Sequence, residues 1–229
     1  MSEFLEERSL SDKLRQVYSY MTLGLLLSVL TAYYCFTSNL WYSIATSFAG
    51  YGSFIMLFLQ LGLVFYFSSR FTKMSFMSCI VVFISYCIIT GINFAILPMV
   101  YSVGSIFLAL AFTGGLFGIM SIIGYTTNVD LSKLKNILYI GLLVLIGEAI
   151  LGMFLDLSAT QMLFNFLGVV IFVGLTAYDT QKIKNWYQSY EFQNNHEAMG
   201  KLAIMGALTL YLDFVNMFLY ILRIVGRRN

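Results

Sequence analysis

Of 229 residues, 59% are hydrophobic and 10% are charged, against roughly 45–50% and about 25% in ordinary soluble proteins. The 13 basic and 11 acidic side chains cannot coat a soluble fold of this length, and the 21 Phe and 16 Tyr exclude a disordered chain. The composition is that of one membrane domain over residues 1–229, and a net charge of +2 gives no reason to expect a nucleic-acid partner.

Taken from its start, the chain carries Glu3, Glu6 and Glu7 before its first basic residue, Arg8. A signal-peptide n-region is basic, so the first apolar span is expected to be retained. No charge occurs between Arg15 and Arg70, nor between Lys73 and Asp130. One crossing takes about 20 residues at 1.5 Å rise, so each run fits two helices joined by an uncharged turn. Continuous apolar runs exclude a membrane barrel, whose short strands alternate in polarity. The predicted spans are 17–37, 43–67, 76–97, 103–125, 137–155, 160–178 and 202–222. Thr37-Ser38-Asn39, Pro98 and Thr126-Thr127-Asn128 punctuate the turns. The fold class is an all-α integral membrane protein with seven transmembrane helices.

Lysines and arginines mark alternate connections: Arg8, Lys13 and Arg15, then Arg70 and Lys73, then Lys133 and Lys135, then Lys182, Lys184 and Lys201. The turns at 38–42 and 98–102 are uncharged, and 156–159 has only Asp156. The positive-inside rule therefore predicts a multi-pass protein of the cell's inner membrane with a cytoplasmic N-terminus. Arg223, Arg227 and Arg228 follow the seventh segment, which leaves a full crossing or a re-entrant path with a cytoplasmic tail. The full crossing is preferred, because the first helices usually dominate orientation.

In the fourth span, Ala111/Gly115 and Gly114/Gly118 form small-xxx-small pairs, expected to pack inside the bundle. Cys35, Cys79 and Cys87 fall in or beside apolar spans, and the single histidine, His196, lies in a polar loop predicted over 180–200. That set suits neither a zinc site nor a disulfide framework, and buried inert thiols are expected.

Chemistry in hydrocarbon must come from polar groups, which are costly there and face the protein interior. The candidates are Asn93, Glu148, Asn165, Asp179, Asp213 and Asn216. Asp213 is the one charge between Leu202 and Leu222, where ionisation at a helix centre costs about 2.5–3.5 kcal/mol. It needs a partner, a cation or a proton. Asn216 lies one turn on, with Arg223 farther along the same side. Asp179 closes the sixth predicted span near Lys182, a position that also suits an interfacial carboxylate in water. Glu148 is deeper and reads first as a protonated, hydrogen-bonded core acid.

Enzyme readings fail on these residues, and no catalytic group is expected. Rhomboid-type proteolysis needs a histidine on a span. Intramembrane aspartyl proteolysis would match Tyr178-Asp179, but Leu210-Tyr211-Leu212-Asp213 stands where Gly-x-Gly-Asp is required. A retinal protein needs a lysine within the last span, and residues 202–222 have none.

Two C-terminal segments carry a resemblance. Gly174-Leu-Thr-Ala-Tyr-Asp-Thr-Gln-Lys-Ile-Lys184 and Ala207-Leu-Thr-Leu-Tyr-Leu-Asp-Phe-Val-Asn-Met-Phe-Leu-Tyr-Ile-Leu-Arg223 resemble the Bax-inhibitor family, in size and N-terminus its bacterial members. The number and spacing of spans extend the resemblance over nearly the whole chain. It implies a seven-helix bundle with the last helix central. It further implies a pH-sensitive calcium leak channel in which two aspartates, matched by Asp179 and Asp213, form a proton site and a weak Ca²⁺ site. A gating arginine at the end of the second helix is matched by Arg70. Arg223 falls where the family pattern has a basic residue, and Asn216 and Glu148 are the remaining supporting candidates. No cofactor is expected; the expected partners are the lipid bilayer, Ca²⁺ as the transported ion, and H⁺. The alternative is a non-conducting regulator that binds a membrane-protein partner, such as a quality-control protease.

Two carboxylates in a low-dielectric site cannot both ionise cheaply, so they titrate as a unit. Without their proton they offer oxygens suited to a hard cation such as Ca²⁺. One difficulty is positional. Asp213 lies about 18 Å along a helix from Lys201, whereas Asp179 sits near the inner end of its predicted span. They meet only if the sixth helix continues through 181–184 or the seventh begins well before the bilayer.

Overall fold

The structure, a computed structural model, describes residues 2–47, 52–152, 154–189 and 196–227; the side chains of 2–9, 53, 54, 57 and 196 lie outside the description. The apolar runs fold as helices because in lipid each backbone N–H and C=O must be satisfied within its own segment. In chain order these are α1 (Ser2–Thr37), α2 (Leu40–Thr46), α3 (Gly52–Arg70), α4 (Phe76–Phe94), α5 (Leu97–Val100), α6 (Val103–Thr126), α7 (Lys135–Leu151), α8 (Gln161–Gln188) and α9 (His196–Val225).

Six described helices are long and apolar enough to cross a membrane: Leu10–Thr37, Phe76–Val100, Val103–Thr126, Leu131–Leu151, Gln161–Gln188 and Glu197–Val225. Helix α3 adds 19 residues whose only charge is the terminal Arg70, about 28 Å of helix, at the place of the second predicted span. The protein is an all-α integral membrane protein. Helix α9 is the most enclosed of the six, with 67% of its most apolar stretch buried against 11% to 44% in the others.

Several boundaries differ from those predicted. Residues 43–67 are not one helix: Asn39 adopts φ 55°, a left-handed conformation asparagine tolerates, and the short α2 precedes α3. Helix α7 stops at Leu151, where the Gly152 N–H closes back on the Glu148 carbonyl. Helix α8 runs on to Gln188, since Thr180, Gln181, Ile183 and Tyr187 remain buried beyond the lipid-length stretch. Helix α9 begins at His196, so the predicted polar loop is helical at both ends.

The chain forms two compact units, Met1–Val100 with Tyr187–Tyr211, and Tyr101–Trp186 with Leu212–Asn229. In the first, small residues let α1 and α4 approach closely: a Cβ on Gly24 would stand 2.6 Å from the Phe83 ring, and one on Gly91 2.6 Å from the Ser28 carbonyl. Tyr211 is the polar hub of this unit. Its hydroxyl lies 2.6 Å from Ser28 Oγ, which reaches the Gly24 and Cys87 carbonyls. The Phe83 and Tyr86 rings meet Tyr211 edge-on, at 6.0 and 5.8 Å. The Gln60 amide donates to Tyr86 Oη and Thr90 Oγ1 at 2.9 Å each and accepts from Asn93 Nδ2 at 2.7 Å. All three cysteines are free and buried.

In the second unit α6 and α8 meet at Gly124, where a Cβ would lie within 3.0 Å of backbone atoms of Ala177. Gly168 admits the Tyr220 ring in the same way, 2.6 Å from its missing Cβ. The expected packing face at Ala111/Gly115 and Gly114/Gly118 is open: among the described residues no atom outside the helix's own backbone stands within 4 Å of a Cβ at Gly114, Gly115 or Gly118. The buried face is Ser105, Ala109, Thr113, Phe117, Ser121 and Gly124. Small residues occupy two sides of α6, and the contact with α8 selects one of them.

The last segment is long and apolar enough to cross a membrane once. It is one unbroken helix of 30 residues, not a re-entrant pair. The Ser102 N–H donates to the Arg227 carbonyl at 3.1 Å, and the Arg227 N–H donates to Ser105 Oγ at 3.0 Å. Residues 226–227 thus lie at the end of α6 that begins with the uncharged 98–102 turn.

Candidate functional site

Asp179 on α8 and Asp213 on α9 both belong to the second unit and are buried, at 5% and 4% exposure. The continuation of α8 past residue 178 places Asp179 inside a helix rather than at a frayed end, with Thr180 and Gln181 buried after it. Asp179 is therefore not a carboxylate in water. Its Oδ1 accepts from Lys182 Nζ at 3.0 Å, one turn along the helix.

Lys182 is held on more than one side. Its ammonium stands 5.0 Å from the Trp186 ring centroid and 5.7 Å from that of Tyr178, each one turn away. Tyr139 of α7 is close enough to act on it as well. The charges of Asp179 and Lys182 both reach Asp213. Its Oδ2 is buried and has no hydrogen-bond partner among the described residues. A buried carboxyl oxygen without a partner is costly, and a proton or a cation removes that cost.

Around this centre the inner end of α8 is tied to the α6–α7 connection. The Gln181 amide donates to the Val129 carbonyl and accepts from the Leu131 N–H, both at 2.8 Å. Lys184 Nζ donates to the Tyr125 carbonyl at 2.8 Å and lies over the Tyr125 ring. In that connection Asp130 accepts from the Ser132 N–H at 2.9 Å. Ser132, by its hydroxyl and its N–H, holds the Asp130 carboxyl below its ordinary value, as Ser158 does for Asp156.

The other expected residues are described each within its own unit. Arg70 ends α3 in the first unit and is exposed. Asn216 turns its amide back on the Leu212 carbonyl at 2.8 Å rather than toward Asp213. Glu148 is half-buried, and its charge and that of Arg223 act on Tyr220. Arg223 is exposed, with its guanidinium 5.3 Å over the Tyr220 ring. Asn165 is buried in α8, and Asn93 serves Gln60 in the other unit.

Sequence reasoning gave Lys182 only as a neighbour in water and did not single out Gln60 or Gln181. The available signals were the i,i+3 spacing of Asp179 and Lys182 and a lone amide in the middle of an apolar helix. Among the described residues no group of three or more His, Cys, Asp or Glu side chains comes together. A cation at the pair would have two carboxylates, few for a tight cage.

Residues 10–229 match the family model described as inhibitor of apoptosis-promoting Bax1. The inner membrane protein YbhL of Escherichia coli strain K12 is 37% identical over 224 residues, covering 96% of this chain and 93% of its own length. A protein of Borreliella burgdorferi described only as uncharacterized is 38% identical over 217 residues, covering 94% and 92%. An uncharacterized membrane protein of Streptococcus pyogenes serotype M1 is 30% identical over 218 residues, covering 93% and 92%.

Proposed function

The chain belongs to the Bax-inhibitor family, and from that premise we propose that it is a calcium leak channel controlled by protons at Asp179 and Asp213. The observation that carries this reading is the buried Asp213 Oδ2 without a partner among the described residues, in a unit that buries a second carboxylate, Asp179.

With a proton on Asp213, the Asp179–Lys182 pair and the neutral carboxyl sum to no net charge, and nothing draws a cation in. Loss of that proton leaves one uncompensated negative charge in a poorly screened site. A hard cation such as Ca²⁺ then finds oxygen ligands, and two carboxylates suit passage better than storage. Leak should therefore rise as pH is raised through the titration of the pair.

The E. coli relative is named an inner membrane protein, and the same membrane is proposed here, with the N-terminus in the cytoplasm.

The test is Ca²⁺ flux into liposomes holding only this protein, measured across pH for wild type and Asp213→Asn. Wild-type flux should depend on pH, and Asp213→Asn should lose that dependence. The same assay examines the gating role proposed for Arg70: Arg70→Ala should raise leak at a pH where wild type is mostly closed. Absence of flux from inserted wild-type protein at every pH would replace the channel with a non-conducting regulator that binds a membrane-protein partner.

A further inference from the structure

We propose that Lys182 is a tethered cation that competes with a divalent metal ion for the carboxylate pair, so that the metal enters only as the ammonium leaves. This rests on the reading of Asp179 and Asp213 as a cation site and names what holds that site closed.

Three observations point to it. The ammonium sits 3.0 Å from Asp179 Oδ1, within hydrogen-bond distance of the carboxylate. It is also the outer member of the pair: the Lys182 side chain is 27% exposed and that of Asp179 7%. Lastly, Lys182 has somewhere else to go. The Trp186 and Tyr178 rings flank it on the same helix, and the four-carbon stem can swing the ammonium off the carboxylate while keeping it over an aromatic face.

Charge favours such a competition. With Asp213 ionised, the pair carries two negative charges, one of them already neutralised by Lys182. Displacing the ammonium doubles the charge a divalent ion meets at the same distance. Ca²⁺ takes six to eight oxygens where it binds tightly, so a site with two carboxylates and a resident ammonium releases its ion readily. A structural ion pair alone would stabilise α8 without bearing on metal affinity.

The test uses terbium(III) as a hard-cation probe, with luminescence sensitised by the neighbouring Trp186 and Tyr178, on the full-length protein in detergent micelles. Lys182→Met keeps an unbranched apolar stem beneath the rings and should bind terbium at least tenfold more tightly than wild type, with Ca²⁺ displacing it. Lys182→Arg restores a cation and should return affinity to the wild-type range. Lys182→Gln provides the same comparison if the methionine variant does not fold. Equal terbium affinity in wild type and the neutral variants would overturn the proposal while leaving the channel reading to its flux assay. If Asp213→Asn in the Lys182→Met background binds terbium undiminished, the carboxylate pair is not the cation site, and both fall.

Discussion

Substituting Gly124 by alanine probes the contact that positions the site. Gly124 faces Ala177, two residues before Asp179, and its added methyl would lie within 3.0 Å of the Ala177 carbonyl carbon and Cα, with the oxygen nearer still. All three are backbone atoms, so no rotamer change relieves the clash. Helices α6 and α8 would have to part by about 1 Å to restore ordinary contact, and overpacking of this kind costs about 1–3 kcal/mol. Gly115 is the matched control, on the same helix with no atom within 4 Å of its Cβ. There alanine should be neutral or stabilise the helix by about 0.5–1 kcal/mol. Reversible unfolding in mixed micelles with increasing dodecyl sulfate would compare the two variants, which should differ by at least about 1 kcal/mol. The same separation would strain the bonds from Gln181 to Val129 and from Lys184 to Tyr125, so any flux of Gly124→Ala should have an altered pH profile. Equal stability of Gly124→Ala and Gly115→Ala would refute the close α6–α8 approach.

In a background lacking Cys35, Cys79 and Cys87, cysteines introduced at Ser102 and Arg227 should be labelled by an impermeant reagent from one side and a cysteine at Ser132 from the other. Joint labelling of 227 and 132 would restore a re-entrant last segment. Tyr211→Phe removes the hydroxyl 2.6 Å from Ser28 Oγ and should cost about 0.6–1.7 kcal/mol in the same unfolding assay, the range for hydrogen bonds between membrane helices; an unchanged midpoint would make that bond idle. The carboxyl of Asp130 is held below its ordinary value of 3.8 by Ser132. Its contribution is therefore present above about pH 4 and lost as pH falls through the lower folded value. Hydrogen exchange at Leu131 and Ser132 should accelerate below about pH 4 relative to neighbouring amides, and Asp130→Ala should abolish that step.

The sequence by itself determined that the chain is a helical membrane protein, because the cost of leaving backbone groups unpaired in lipid is local to each segment. Two runs without charge leave helices as the only way to satisfy those groups, and the C-terminal motifs were enough to name the family. The burial of Asp213 was also legible, since one carboxylate in an apolar stretch is conspicuous from position alone. Tertiary structure decided what depends on helix phase and length. Glycines stand on two sides of α6, and only the contact with Ala177 shows that Gly124 meets α8, while Gly114, Gly115 and Gly118 meet none of the described residues. Polar residues after 178 read as a loop by composition, yet burial of Gln181, Ile183 and Tyr187 against the protein carries α8 ten residues farther. That extension brings Lys182 onto Asp179. The hydropathy of a segment is a sum over its own residues, whereas the partner of a buried charge depends on where another side chain is placed, and packing alone supplies that.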